Sequence, residues 1–364
     1  MSLDQILEES GLDSVHEAKV DPEKRKSLFR LIKDRYDYGT YYRDRDLRNA
    51  LFELMEFNPA IPQPLRNLLG QGRATSDRRE DFIADWQADN DWAEPATSSF
   101  CLSDFFEFCQ FGEEVIRPFA ANNLHNEHYF YSKILEWFIS YQHLQPISDA
   151  IIADIGAAYF GFGKIVEALP NVGQIQLVDI VFKKGVSQRT PKTFEVGASA
   201  AHLQPISDAS VDLVTLHNAF EHFSEGADAG CIGEINRVLK PGGTALISPF
   251  FFAGRYTISL NPISAFFFQE NKNLYDYVMK EYQENNAFLR FSKTMLSPYA
   301  RIFSYSVFKN TFLERQNHLI PKLRRATFDS PKTENVPDEL FGIEFRADYF
   351  SEKDFYYLEI AKPG

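Results

Sequence analysis

His217, Glu221 and His222 lie close together in the stretch His217-Asn218-Ala219-Phe220-Glu221-His222-Phe223. An imidazole titrates near neutrality, so either histidine can take a proton, and a carboxylate can take one or orient the ring that does. A general base is worth roughly 10²–10⁴-fold in rate. If a helix begins here, His217 and Glu221 share one face and Asn218 and His222 another. The same residues serve equally to line a ligand or to brace the turn. Metal binding is not indicated. H-N-A-F-E-H departs from the H-E-x-x-H zinc pattern, and Cys101, Cys109 and Cys231 lack ligand spacing. Two further acids stand apart from this group. Asp154 precedes Gly156 by two residues, and Asp179 closes the apolar run Ile175-Gln176-Leu177-Val178. An acid at a strand tip can accept both hydroxyls of a ribose, and one beside a glycine turn can attract the ammonium of an amino-acid ligand.

The elements that must position these groups follow from the apolar pattern. Ile151-Ile152-Ala153 reads as a buried strand, Gly156 to Gly163 as a turn, and Lys164 to Leu169 as a helix stopped by Pro170. A second strand then ends on Asp179, which completes a β-α-β unit suited to a nucleoside. The spacing is not the dinucleotide fingerprint G-x-G-x-x-G, because Ala157-Ala158-Tyr159-Phe160 separates Gly156 from Gly161. A nicotinamide-dependent oxidoreductase is therefore disfavoured. Phe194-Glu195-Val196 reads as a third strand and Ser210 to Leu216 as a fourth. Glu234 to Lys240 reads as a helix, followed by the turn Pro241-Gly242-Gly243 and a fifth strand to Ser248.

In this order, D-I-G, a second-strand acid, V-D-L-V, N-A-F-E-H-F and E-I-N-R-V-L-K-P-G-G-T-A-L-I-S occupy about a hundred residues. The series resembles class I S-adenosylmethionine-dependent methyltransferases of the ubiquinone-biosynthesis-like, small-molecule type. The resemblance implies a doubly wound, Rossmann-like α/β sheet with its last strand antiparallel. It implies S-adenosylmethionine as cofactor and methyl transfer to a small molecule or glycan precursor. By the same resemblance Asp154, Gly156, Ala157 and Gly161 surround the methionine part, and Asp179 holds the ribose. Ile180 packs on adenine, Ser199 and Ala200 close the adenine slot, and Asn218 lines the cofactor. Helices before the first strand would form a lid, so that Tyr129, Phe130 and Tyr131 either face the ligand or pack on the sheet. Phe250 or Phe252, with Tyr256, either walls an acceptor pocket or is core. The run from Val196 to Ile206 has no acid where the family places one near the adenine amino group, and the first turn lacks its middle glycine. Both departures point to the alternative, a methyltransferase-like binding protein without catalysis.

The remaining chain is expected to elaborate this core, which spans residues 146–253. Residues 1–99 read as a helical region and linker, with a helix starting at Asp21-Pro22-Glu23 and another through Leu47, Leu51, Leu54 and Met55. Residues 100–145 carry the aromatic lid helices, and 254–335 form an insertion shaping the acceptor site. Residues 336–364 supply the closing strands, read at Phe341 to Arg346 and Phe355 to Lys362. His143 to Ala150 recurs letter for letter as His202 to Ala209, which predicts two similar turns entering parallel strands. A net charge of −13 disfavours a nucleic-acid partner. No apolar run approaches the ~20 residues of a membrane helix. The N-terminus lacks the character of a signal peptide, and a cytoplasmic location is expected.

Overall fold

The computed structural model describes residues 3–35, 49–50, 53–54, 63, 78–89, 95–123, 127–158, 161–224, 226–261, 272–292, 299–314, 318–329, 339–344 and 355–364. Leu47, Leu51 and Met55 of the second expected helix lie outside them, as do Tyr159, Phe160 and Phe266 to Phe268. The chain forms two compact units. One comprises Met1–Arg79 with Ala253–Ser304, the other Glu80–Phe252 with Tyr305–Gly364.

The first unit begins with helices α1 (Leu3–Glu9), α2 (Val15–Val20) and α3 (Pro22–Arg35). Pro22 opens α3, where its missing N–H costs nothing, and the Asp21 side chain accepts from the backbone of Glu23 and Lys24 at 2.9 and 3.1 Å.

The second unit holds the large sheet. Helix α4 (Arg79–Ala88) leads to strand β1 (Ala96–Phe100), then α5 (Leu102–Phe111), α6 (Glu113–Asn122) and α7 (Glu127–Leu144). The β-α-β unit follows as β2 (Ala150–Ile155), α8 (Gly161–Glu167) and β3 (Val172–Gln188). After these come β4 (Thr193–Gly197), β5 (Val211–His217), a 3₁₀ turn at Phe220–His222, α9 (Ala227–Val238) and β6 (Leu239–Ser248). The five core strands thus lie where the apolar runs place them. Strand β1 was not expected. Its polar run Ala96-Thr97-Ser98-Ser99 suits a sheet edge, where Ser98 Oγ accepts from the Tyr357 hydroxyl at 2.8 Å.

In the first unit, β7 (Thr257–Leu260), helix α10 (Lys272–Glu284), β8 (Phe288–Phe291) and β9 (Tyr299–Ile302) form a small three-stranded sheet and its helix. The second unit resumes with α11 (Tyr305–Glu314), β10 (Ile320–Phe328), the hairpin β11 (Glu339–Leu340) and β12 (Ile343–Glu344), and β13 (Phe355–Ala361). The large sheet has the order β1-β10-β13-β6-β5-β2-β3-β4. β13 runs antiparallel to both β6 and β10 inside an otherwise parallel sheet. The closing strand expected at 341–346 is not in this sheet. Its place is taken by Ile320–Phe328, whose Lys322 and Arg324 pair with Glu359 of β13 at 3.3 and 3.0 Å.

Two local features shape the site. β3 pairs with β4 from Ile175↔Thr193 to Asp179↔Gly197, and the chain then doubles back, with register from Lys184↔Gly197 to Gln188↔Phe194 in the reverse sense. The returning backbone at Lys183 presses so closely on Gly197 that no Cβ fits there. The second feature is the duplicated octapeptide. In the first copy the Asn171 amide donates to the carbonyls of Leu144 and Ile147, each at 2.9 Å, and Ala150 N donates to Asn171 O at 2.8 Å. In the second copy Arg237 donates to the equivalent carbonyls of Leu203 and Ile206 at 2.9 and 2.8 Å, and Ala209 N donates to Arg237 O at 2.9 Å. Equal sequences make equal turns, each pinned from the segment before the next strand.

Candidate active site

The sheet order reverses at β2, which has β3 on one side and β5 on the other. In open α/β sheets the crevice at such a switch, beyond the carboxyl ends of the strands, is the ligand position. The register aligns Ile155 with Val178 and with Leu216, and His217 with Ser248. Gly156, Asp179 and His217 therefore emerge in one row, and Gly197 stands beside Asp179. Gly156 turns the chain with φ of +79°, and a Cβ there would stand 2.7 Å from Ala219 Cβ. Only glycine meets both demands.

Beneath this row lies a buried polar network. Asp154 Oδ1 accepts from Thr215 Oγ1 at 2.7 Å and faces His217 Nδ1 at 3.3 Å. The other ring nitrogen of His217 meets Ser140 Oγ at 2.8 Å, and Phe162 packs edge-on against the ring. Burial pushes the His217 pKa down, against the pull of Asp154. His217 is thus enclosed on every side shown, and the face it was expected to share with Glu221 does not form, because the chain leaves β5 through a 3₁₀ turn. Asn218 sits in the left-handed region with φ of +50°. Its backbone N–H donates to Ser248 O at 2.9 Å and its side-chain amide donates to Glu136.

Helix α7 contributes the residues that sequence reasoning missed. Lys133 Nζ donates to Glu136 Oε2 at 2.8 Å and to the His217 carbonyl at 3.3 Å. The Glu136 side chain is 0% exposed, and burial lifts its pKa to about 8 despite Lys133 alongside. Burial presses the Lys133 pKa down, but Glu136, with Tyr129 and Glu221, outweighs it and the net shift is upward. The signal was available: Lys133, Glu136 and Ser140 follow helical spacing within an otherwise apolar and aromatic run. Of the aromatic residues before them, Tyr129 acts electrostatically on Lys133, whereas the next two pack away from the site. Phe130 and Tyr131 belong to the apolar core, with ring centroids 5.1 Å apart, and the Tyr131 hydroxyl donates to Ile343 O at 3.4 Å.

On the 3₁₀ turn, Glu221 and His222 form a pair of unequal exposure. The Glu221 side chain is 4% exposed and that of His222 is 32%, with His222 Nε2 3.4 Å from Glu221 Oε1. Glu221 Oε2 is buried with no hydrogen-bond partner.

Toward β3 and β4 the row is more open. The Asp179 carboxylate accepts from Ala158 N at 3.1 Å and Val181 N at 3.0 Å. Ile180 is 76% exposed although aliphatic. Ser199 Oγ accepts from Ala201 N at 3.3 Å, Ala200 is buried beside it, and Gly161 opens α8 with Ala157 buried before it. Asp208 pairs with Arg237, and Asp212 accepts from Ile151 N and Lys240. Both acids are thereby committed away from this slot. A carboxylate at a strand tip, an exposed aliphatic next to it and a buried acid cluster match the ribose, base and cationic amino-acid end of an adenosyl cofactor. The residues fit that group.

The aromatic run after β6 resolves as core. Phe250 and Phe252 are buried on the same side and pack with Phe82, Phe308 and Tyr356, the Phe82–Phe252 centroids lying 4.5 Å apart. Tyr256 belongs to the other unit, where its hydroxyl donates to Glu281 at 2.7 Å. Among the described residues no helix is long and apolar enough to cross a membrane.

Residues 154–247 match a family described as a methyltransferase domain. No curated protein matches the chain. Among solved structures it is similar to the 1,6-didemethyltoxoflavin-N1-methyltransferase of Burkholderia thailandensis with bound 1,6-didemethyltoxoflavin and S-adenosylhomocysteine. That alignment has 14% identity, covers 69% of this chain and 89% of the other, and has a TM-score of 0.37. Similarity also extends to a structure of the Haloferax volcanii Trm112 methyltransferase activator in complex with its partner. There the identity is 16%, the coverage 68% and 95%, and the TM-score 0.39.

Proposed function

On the premise that residues 154–247 are a class I S-adenosylmethionine-dependent methyltransferase domain, we propose that the chain methylates a small-molecule or glycan-precursor acceptor, with His222 as the proton acceptor. The cofactor, when bound, supplies an electrophilic methyl group on a sulfonium. Asp179 would hold its ribose, Ile180 its base, and the row at Gly156 and Asn218 its amino-acid end. The observation that carries the reading is the Glu221–His222 pair. The accessible imidazole can take the acceptor's proton, and the buried carboxylate 3.4 Å from its Nε2 orients the ring. His217, walled in by Ser140, Asp154 and Phe162, braces the tip of β5 instead. An acidic chain with Asp154, Asp179, Glu136 and Glu221 at the site supports a small neutral or cationic acceptor over a polyanion.

The test is S-adenosylhomocysteine release with panels of phenols, amines and carboxylic acids, alongside cofactor titration. His222→Ala should lose roughly 10²–10⁴-fold in turnover with cofactor affinity kept. Cofactor binding without methylation of any panel member would instead favour the non-catalytic binding protein.

A further inference from the structure

An amino-acid ligand brings a carboxylate as well as an ammonium, and a pocket that accepts both must supply an anion partner among its acids. The usual donors for a small anion at a glycine turn are backbone amides. Here they are already committed. Gly156 N and Ala157 N both donate to Val178 O at 2.8 and 3.2 Å, Ala158 N donates to Asp179, and Asn218 N donates to Ser248 O. The network around them holds three buried acid side chains, Asp154, Glu136 and Glu221, and one cation, Lys133. A ligand carboxylate placed there without a cation would meet only like charge. Lys133 has three N–H donors. Two are used, on Glu136 and the His217 carbonyl, and among the described residues the third has no acceptor. The Lys133 side chain is 11% exposed, that of Glu136 0%.

We propose that Lys133 receives the cofactor's carboxylate, which makes a lysine on the helix before the sheet the determinant that separates an amino-acid adenosyl ligand from a plain adenosyl thioether; this rests on the cofactor reading given above. Glu136 then has two tasks. It accepts from Lys133 and also from the Asn218 amide, so that the ammonium is held at the tip of β5 before ligand arrives. The acid surplus around it takes the ligand's cationic groups, and Lys133 takes the single anion.

The experiment is calorimetric titration of the full chain with three probes. These are S-adenosylhomocysteine, its decarboxylated analogue, which keeps the ammonium, and methylthioadenosine, which has neither charge. The wild type should prefer S-adenosylhomocysteine over the decarboxylated analogue by about 10–100-fold, the range of a charge-assisted hydrogen bond. Lys133→Met should abolish that preference and leave methylthioadenosine affinity unchanged. Because Lys133→Met leaves the buried Glu136 without its partner, the double variant Lys133→Met/Glu136→Gln is titrated in parallel and should behave the same way. Equal loss for all three probes would make Lys133 a structural brace and overturn the proposal, as would a preference that survives the substitution. If the wild type binds no probe at all, the cofactor reading itself falls. If it binds all three alike, only the carboxylate assignment does.

Discussion

Asp179, proposed to hold the ribose, also has a structural task. Its two oxygens also hold the amides of Ala158 and Val181, so it fastens the glycine turn to the end of the second strand. Asp179→Ala should therefore weaken cofactor binding by about 1.5–3 kcal/mol. Asp179→Asn, which keeps one acceptor oxygen for the turn, should recover melting temperature without recovering full affinity. Undiminished binding in a folded Asp179→Ala protein would remove Asp179 from the site. Glu136 makes a prediction in pH. Its folded pKa is raised from 4.5 to about 8, so the folded chain keeps a proton that the unfolded chain releases. Stability contributed by this group is complete below pH 4.5 and declines as pH rises toward 8. The slope is at most about 1.4 kcal/mol per pH unit. Chemical denaturation of Glu136→Gln across that window should show a flatter profile than the wild type. Parallel profiles would mean the carboxyl titrates normally.

At the level of elements, α7 shows what a pattern conveys and what it hides. A run as apolar as Tyr129-Phe130-Tyr131 invites a reading as lid, yet the same rings are the helix's means of packing on the core. The functional face is the sparse one, Lys133, Glu136 and Ser140, because a polar side chain survives on a buried helix only where partners await it. Those partners, His217 and Asn218, sit at the end of β5, far away in sequence, which is why single-stretch reading passes over the stripe. The strand Ile320–Phe328 was hidden for a related reason. It fell within the expected insertion, because the partner of its Lys322 and Arg324 is Glu359, far along the chain. The β-α-β unit and the three strands after it were legible because their apolar runs and glycines are local. The aromatic cluster behind β6 gives the direct test of core against pocket. Phe252→Ala should cost about 3–5 kcal/mol of stability, read by denaturant titration. A loss below about 1 kcal/mol would return the ring to an open wall. Gly197 is similarly bound to its surroundings. Gly197→Val should detach the returning segment Lys184–Gln188, seen as loss of hydrogen-exchange protection there, while β2 and β5 keep theirs.

For the molecule as a whole, the duplicated octapeptide has a use beyond its place in the sheet. His143–Ala150 and His202–Ala209 put one string of side chains into two surroundings within a single polypeptide, at one concentration, temperature and pH. Leu144 and Leu203 are both fully buried, so Leu144→Ala and Leu203→Ala should each cost roughly 2–5 kcal/mol. Residue type and sequence neighbours cancel in the comparison, and the remaining difference is the price of environment alone. The anchors differ in chemistry, an amide in one copy and a guanidinium that also grips Asp208 and Glu234 in the other. Arg237→Ala should accordingly unsettle its copy more than Asn171→Ala unsettles the first. The chain thus carries its own matched control: a built-in pair of replicates from which the contribution of context to a local conformation can be measured, with no second protein needed as reference.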